Sequence, residues 1–260
     1  SPFAFTGNKF EFRMVGSRDS VAEPNVVLNT IVAEAFSEAC DVLEKAEDFD
    51  LAVHDLIKKY ASEHQRIVFN GNGYSEEWVE EAARRGLPNI RTMVEAIPVL
   101  TEEKTIELFE KFKVFTRAEL ESRAEIQYET YSKAINIEAR SMIDIASKHI
   151  IPAVLQYTTA LATSINQIRE ACTEANISVQ IELLKECSSL LAATKAALKE
   201  LTEVTETAAA KPEGRERAVY IQDMVVPAME ALRRPVDRLE MLVAKEMWPM
   251  PSYGDLLFEV

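Results

Sequence analysis

Apolar and polar residues alternate strictly over Phe10-Glu11-Phe12-Arg13-Met14, and from Pro24 onward the repeat lengthens to helical spacing. Period-two alternation predicts a half-buried strand, with Phe10, Phe12 and Met14 on one face and Lys9, Glu11 and Arg13 on the other. Gly16 to Ser20 reads as a loop. Pro24 can open a helix, because its missing N–H is not needed in the first turn. Leu28, Ile31, Val32, Ala35, Phe36, Ala39, Val42 and Leu43 then form an apolar stripe ending near Ala46. A second helix is predicted from Asp48 to about His64, with Val53, Leu56, Ile57, Tyr60 and Ala61 inward.

Shorter elements follow. Arg66 to Phe69 reads as a short strand that stops at the turn Asn70-Gly71-Asn72-Gly73. Ser75 is a candidate N-cap for a helix that runs to Arg84-Arg85 and stops at Gly86. A short helix over about Asn89 to Ala96 precedes Pro98, and Thr101 is expected to cap the next. Thr116-Arg117-Ala118-Glu119 has the form of a capping box, in which hydroxyl and carboxylate each satisfy an orphan amide.

Beyond it the pattern is long and helical. One helix is predicted to about Glu174 with a kink at Pro152, and a second from about Ser178 to Ala209. After the turn Lys211-Pro212-Glu213-Gly214 a third runs from about Arg215 to Met247, with kinks at Pro227 and Pro235. Three long helices joined by short turns pack as antiparallel neighbours. The tail after Trp248 carries Leu256, Leu257 and Phe258 and is expected to dock.

Composition agrees with a mainly α chain: helix formers dominate after about Thr101, and 260 residues hold only 7 Gly and 10 Pro. The formal charge of -14 repels phosphodiester backbones and anionic lipid, so neither nucleic acid nor a membrane surface is an expected partner. No apolar run approaches the ~20 residues needed to cross a bilayer. The opening Ser1 to Phe5 is not a signal peptide and reads as the interior of a longer chain. Cys40, Cys172 and Cys187 show no paired or metal-ligand spacing and read as buried helix residues of a reducing, cytoplasmic compartment.

Chemistry concentrates on one strand face. Glu11 is a hard oxygen ligand suited to Mg²⁺ or Mn²⁺, and the Arg13 guanidinium matches phosphate oxygens. On spacing alone the pair reads first as a surface salt bridge on an exposed strand face. His54, His64 and His149 sit in helical pattern at no metal-ligand spacing. Asn70 to Gly73 lacks the Lys-Ser/Thr of a phosphate loop and reads as a plain turn. The Glu119, Glu121, Glu125 and Glu129 run reads as a solvated face.

The residue order adds more. Lys9 to Arg13, followed by Pro24-Asn25-Val26-Val27-Leu28-Asn29-Thr30-Ile31-Val32-Ala33, resembles the C-terminal end of the glutamine synthetase catalytic domain. Gly7 to Ser17, Val68 to Ser75, Ile135 to Ala139 and Tyr253 to Phe258 look like the type III form of that family. The resemblance implies an enzyme that joins ammonia to glutamate with ATP through γ-glutamyl phosphate, using Mg²⁺ or Mn²⁺. By position, Glu11 would bind the metal at the ATP phosphates, Arg13 would hold the transferred phosphoryl group, and Lys9 would contact nucleotide phosphate. Lys9 stands where other types often carry Arg, which keeps the charge and loses the bidentate fork.

The implied fold is mainly α: the end of an α+β catalytic domain followed by a long antiparallel helical bundle. The expected division is 1–46 for the catalytic-domain strand and helix, 47–115 for a connecting region of short helices, and 116–260 for the bundle and tail. A homo-oligomer is expected, and so is an inactive fragment, since the family's other metal carboxylates are not placed here. The alternative is a non-catalytic helical module for oligomerisation or regulation.

Overall fold

The computed structural model describes residues 3–5, 10–12 and 20–258, and the Lys9 and Arg13 positions lie outside them. The chain divides into two units, Ser1–Ser122 and Arg123–Val260.

In the first unit the alternating segment does form a strand. β2 (Phe10–Phe12) pairs antiparallel with β1 (Phe3–Phe5), in the register Phe3↔Phe12, Ala4↔Glu11 and Phe5↔Phe10. Then come α1 (Ala22–Leu43) and α2 (Phe49–Glu63), the latter capped by Asp48, whose carboxylate accepts the Leu51 N–H at 3.0 Å. α3 (Glu76–Arg84), α4 (Met93–Ala96) and α5 (Glu103–Lys111) follow, with α6 (Arg117–Ile145) starting at the end of the unit.

Its small core is Ile106, Phe109 and Leu120, packed by Val26, Val27 and Phe115. The Phe109 and Phe115 rings sit 5.4 Å apart and tilted, a favourable aromatic geometry. Lys111 and Glu34 pair at 2.5 Å between α5 and α1.

Several local expectations change. Residues Arg66 to Phe69 are no strand: Gln65–Ile67 make a 3₁₀ turn and the chain continues irregularly. A β-branched run needs a partner strand, and here Arg85 takes that role, donating to the carbonyls of Arg66 at 3.2 Å and Val68 at 2.7 Å. Phe69 stacks on Trp78 at 4.4 Å. Thr101 closes a 3₁₀ turn (Ile97–Thr101), and Glu102 is the N-cap of α5. Pro98 stands in the first turn of that 3₁₀ segment, where its missing N–H is tolerated. Ser75 holds the N-cap position of α3, but its hydroxyl donates to the Asn72 carbonyl instead of capping.

The α1 stripe is largely uncovered. Ile31, Val32, Phe36 and Val42 are exposed, Phe36 by 67 %, and only Thr30 is buried. On α2, Ile57 and Ala61 are exposed as well, so the inward face expected there is only half formed.

The second unit is the bundle. α6 continues through a π turn (Ala146–Ile150) into α7 (Ile151–Ala171), which ends three residues short of Glu174. α8 (Ser178–Ala210) matches the predicted second helix. α9 (Arg215–Tyr220) passes through another π turn (Ile221–Val225) into α10 (Val226–Glu240), which stops before Met247. Pro235 lies inside α10 without interrupting it.

Ala139, Ala146, Leu198, Leu201, Ile221, Val225 and Leu232 form the central core. Ile150, Val154, Cys187, Leu239 and Val243 form a second layer, with Trp248 against it. The buried hydroxyls of Thr194 and Thr205 donate to the Leu190 and Leu201 carbonyls four residues back, so neither is orphaned.

α11 (Tyr253–Phe258) ends the described chain. The expectation that the tail docks is not met within this chain: Tyr253, Leu256, Leu257 and Phe258 are all exposed.

Candidate functional site

Glu11 is the middle residue of β2, directly opposite Ala4. It is therefore the one sequence-predicted site residue with a described backbone; Lys9 and Arg13 flank the strand outside the described residues. A two-stranded hairpin is marginal in water by itself and gains stability from further strands or a covering helix.

The rest of the titratable chemistry is dispersed. His54 is exposed beside Asp55, at 3.5 Å. His64 closes α2, and His149 lies exposed in the first π turn. Among the described residues no three His, Cys, Asp or Glu side chains come together as a metal cluster. The cysteines divide: Cys187 is fully buried, and burial pushes its thiol pKa up, so it is inert. Cys40 and Cys172 are exposed, contrary to the expectation that all were buried. Cys172 caps α7 from outside the helix.

Asn70 to Gly73 is the plain turn expected. The Asn72 side-chain oxygen accepts the Tyr74 N–H at 3.0 Å, and the Asn72 carbonyl accepts from Ser75. It offers no lysine or hydroxyl cradle for phosphate.

Elsewhere, charge serves the architecture. The Thr116 capping box forms: Glu119 accepts the Thr116 N–H at 2.8 Å, and Thr116 Oγ1 accepts the Glu119 N–H at 3.4 Å. Arg85 binds Glu81 at 2.5 Å, and that hydrogen bond holds the Glu81 carboxyl below its ordinary pKa. In the tail, Asp255 accepts from Lys245 at 2.9 Å and from the Ser252 N–H and hydroxyl at 2.7 Å each. Those bonds, the Lys245 one first, lower its carboxyl to about 2.

A family model described as "Glutamine synthetase C-terminal domain" matches residues 52–169. Three relatives match practically the whole chain. "Type-3 glutamine synthetase" of Dictyostelium discoideum is 37% identical, over 99% of this chain and 36% of its own length. "Glutamine synthetase" of Bacteroides fragilis is 35% identical, over 99% of this chain and 36% of its own length. "Glutamine synthetase" of Butyrivibrio fibrisolvens is 34% identical, over 100% of this chain and 37% of its own length.

Over its full length the chain is similar to glutamine synthetases, and residues 52–169 match the C-terminal domain of that family. The chain spans a little over a third of the length of the curated relatives it matches. The glutamine synthetase C-terminal domain match covers α2 to nearly the end of α7, across both units. The opening strand and the last two long helices lie outside that match and inside the full-length alignments.

Sequence reasoning found the strand through its alternation. It missed Arg85 as the residue that ties the 66–68 segment to α3, since an arginine at a helix end reads as a dipole partner.

Proposed function

We propose that this chain is the C-terminal part of an ATP-dependent ammonia ligase that makes glutamine from glutamate and ammonia through γ-glutamyl phosphate. The observation that carries the proposal is alignment over 99–100% of the chain with three proteins named glutamine synthetase. In the enzyme the substrates are glutamate, ammonia and ATP, the subunits form a homo-oligomer, and the compartment is the cytoplasm. For the chain itself, no helix among the described residues is long and apolar enough to cross a membrane.

Glu11 supplies one hard oxygen. Mg²⁺ and Mn²⁺ sites that work on nucleotides use one or two carboxylates, with substrate phosphates and water completing the shell. One carboxylate at the centre of a short strand fits that donor set. The bound metal would neutralise charge on the phosphate oxygens. Arg13 holds the γ-phosphoryl group as it passes to the glutamate side chain, and Lys9 contacts nucleotide phosphate. Protein groups in such a transfer chiefly position and neutralise.

The uncovered α1 stripe supports the placement of 1–46 at the end of a catalytic domain. Phe36 and its neighbours are apolar at core-like spacing yet lack a cover, and the remaining two-thirds of the relatives' length is the natural source of one. We assign 47–115 to the connecting region and 116–260 to the bundle and tail. A non-catalytic role for the bundle in oligomerisation or regulation is the second reading, favoured by its self-contained core.

The test is glutamine formation by the complete subunit. Equimolar glutamine and phosphate, dependent on ATP, ammonia and glutamate, are expected. A complete, folded subunit that makes no glutamine overturns the proposal.

A further inference from the structure

Two asparagines of the chain precede glycine, Asn70 and Asn72, and both lie in the exposed turn between the 3₁₀ segment Gln65–Ile67 and α3. That dipeptide is the chemically reactive setting for asparagine. With no Cβ on the following residue, its backbone nitrogen approaches the side-chain carbonyl carbon with the least hindrance. The turn holds the two pairs differently.

Asn72 is tied down. Its side-chain oxygen accepts the Tyr74 N–H at 3.0 Å, and its backbone carbonyl accepts the Ser75 N–H at 3.1 Å and the Ser75 hydroxyl at 2.8 Å. Rotating the side chain into line with the Gly73 nitrogen gives up the Tyr74 bond. Asn70 has no such tie: it and Gly71 are exposed, and among the described residues neither the Asn70 side chain nor the Gly71 N–H has a hydrogen-bond partner. Packing also explains the glycine at 71. A Cβ there would stand 2.6 Å from Cζ of Phe69, whose ring is stacked on Trp78 at 4.4 Å. A side chain at 71 would push that ring off Trp78, whereas a Cβ on Gly73 would meet nothing within 4 Å. The reactive pair Asn70-Gly71 therefore comes with the aromatic anchor of the turn.

We propose that Asn70 is a site of spontaneous deamidation, and that the turn protects Asn72 beside it from the same reaction. The Gly71 backbone nitrogen attacks the Asn70 side-chain carbonyl carbon, and a carbon–nitrogen bond forms there. The bond to the side-chain amide nitrogen breaks, and that nitrogen leaves as ammonia with the proton lost from the Gly71 N–H. Water then opens the cyclic imide at either carbonyl. One opening leaves aspartate in the ordinary chain, and the other leaves isoaspartate, linked through its side chain. Either product puts a negative charge next to Phe69. The site stands independently of the ligase reading, since none of its residues belongs to the Glu11 strand.

Incubation of the 260-residue chain at mildly alkaline pH, followed by tryptic peptide mass spectrometry, tests it. Trypsin releases residues 67–84 as a single peptide, and fragmentation tells the two asparagines apart. A hydrogen bond that must break first slows a reaction by about threefold to tenfold. Asn70 should therefore convert at least about threefold faster than Asn72 in the folded chain, giving both aspartate and isoaspartate. In the same chain unfolded in urea the difference should fall below that ratio. No conversion at Asn70, or a folded-state ratio below about threefold, overturns the proposal. So does a ratio that survives unfolding, since the preference would then belong to the neighbouring residues in sequence and not to the turn.

Discussion

Pro152 and Pro227 occupy matching positions in two different long helices. Each follows by one residue an amide that reaches five residues back: Ile151 N–H to the Ala146 carbonyl, and Val226 N–H to the Ile221 carbonyl. A proline inside an α-helix removes one hydrogen bond and presses its ring on a carbonyl of the preceding turn. The wider π turn shifts the register just before the ring and absorbs that conflict. The flanking residues Ala146, Ile150, Ile221 and Val225 are buried, so both adjustments lie against the core and not at a frayed surface.

Since the backbone already accommodates Pro227, Pro227→Ala should change unfolding free energy by less than about 1 kcal/mol. Ala196→Pro, placed in the unbroken exposed side of α8, should cost about 3 kcal/mol or more. Chemical denaturation followed by circular dichroism compares the two. Equal losses would mean that the π turns give no relief.

Two helix ends share one geometry with different residues. After α3, Gly86 N–H donates to Ala83 and Leu87 N–H to Ala82; after α5, Lys113 N–H donates to Glu110 and Val114 N–H to Phe109. Gly86 has φ +68° and Lys113 has φ +53°, both left-handed. Only glycine holds that conformation without penalty. Gly86→Ala should therefore destabilise by about 1 kcal/mol, and Lys113→Gly should be neutral to stabilising by about 1 kcal/mol. Thermal melts of both variants check the opposite signs.

Asp255 anchors α11 through Lys245 and Ser252. Its folded pKa of about 2 lies below the ordinary 3.8, so the contact contributes above pH 3.8 and is lost as pH falls through about 2. A carboxyl carbon NMR titration should show a midpoint near 2, returning toward 3.8 in Lys245→Met. An unaltered low midpoint in that variant would assign the shift to Ser252 alone.

Phe36 separates a surface residue from a covered one. In the isolated chain, at 67 % exposure, Phe36→Asp should be tolerated within about 0.5 kcal/mol. In the complete subunit the same change should cost about 2 kcal/mol or more, because a charge would enter an apolar contact. Equal tolerance in both would leave the α1 stripe as plain surface.

The helices were legible where their punctuation is local. Thr116 and Glu119 cap as their spacing requires, Gly86 ends α3, and Lys211 to Gly214 turns the chain between α8 and α9. The π turns were not legible, since a proline signals a conflict without saying how the backbone resolves it. Lys113 was invisible as a helix terminator because a lysine carries no left-handed signal. The Val68 segment misled because a β-branched run states a preference for pairing, while whether a partner strand lies beside it is decided elsewhere in the chain. At the site, alternation placed Glu11 in a strand, and only likeness to a family gave that carboxylate a role.

Glutamine formation by the complete subunit carrying Glu11→Gln tests that role most directly. The substitution keeps the shape and removes the charge that would hold the metal at the ATP phosphates. Turnover should fall by about a hundredfold or more, with weakened dependence on Mg²⁺ or Mn²⁺. Turnover equal to that of the unaltered enzyme, at the same metal requirement, would contradict it.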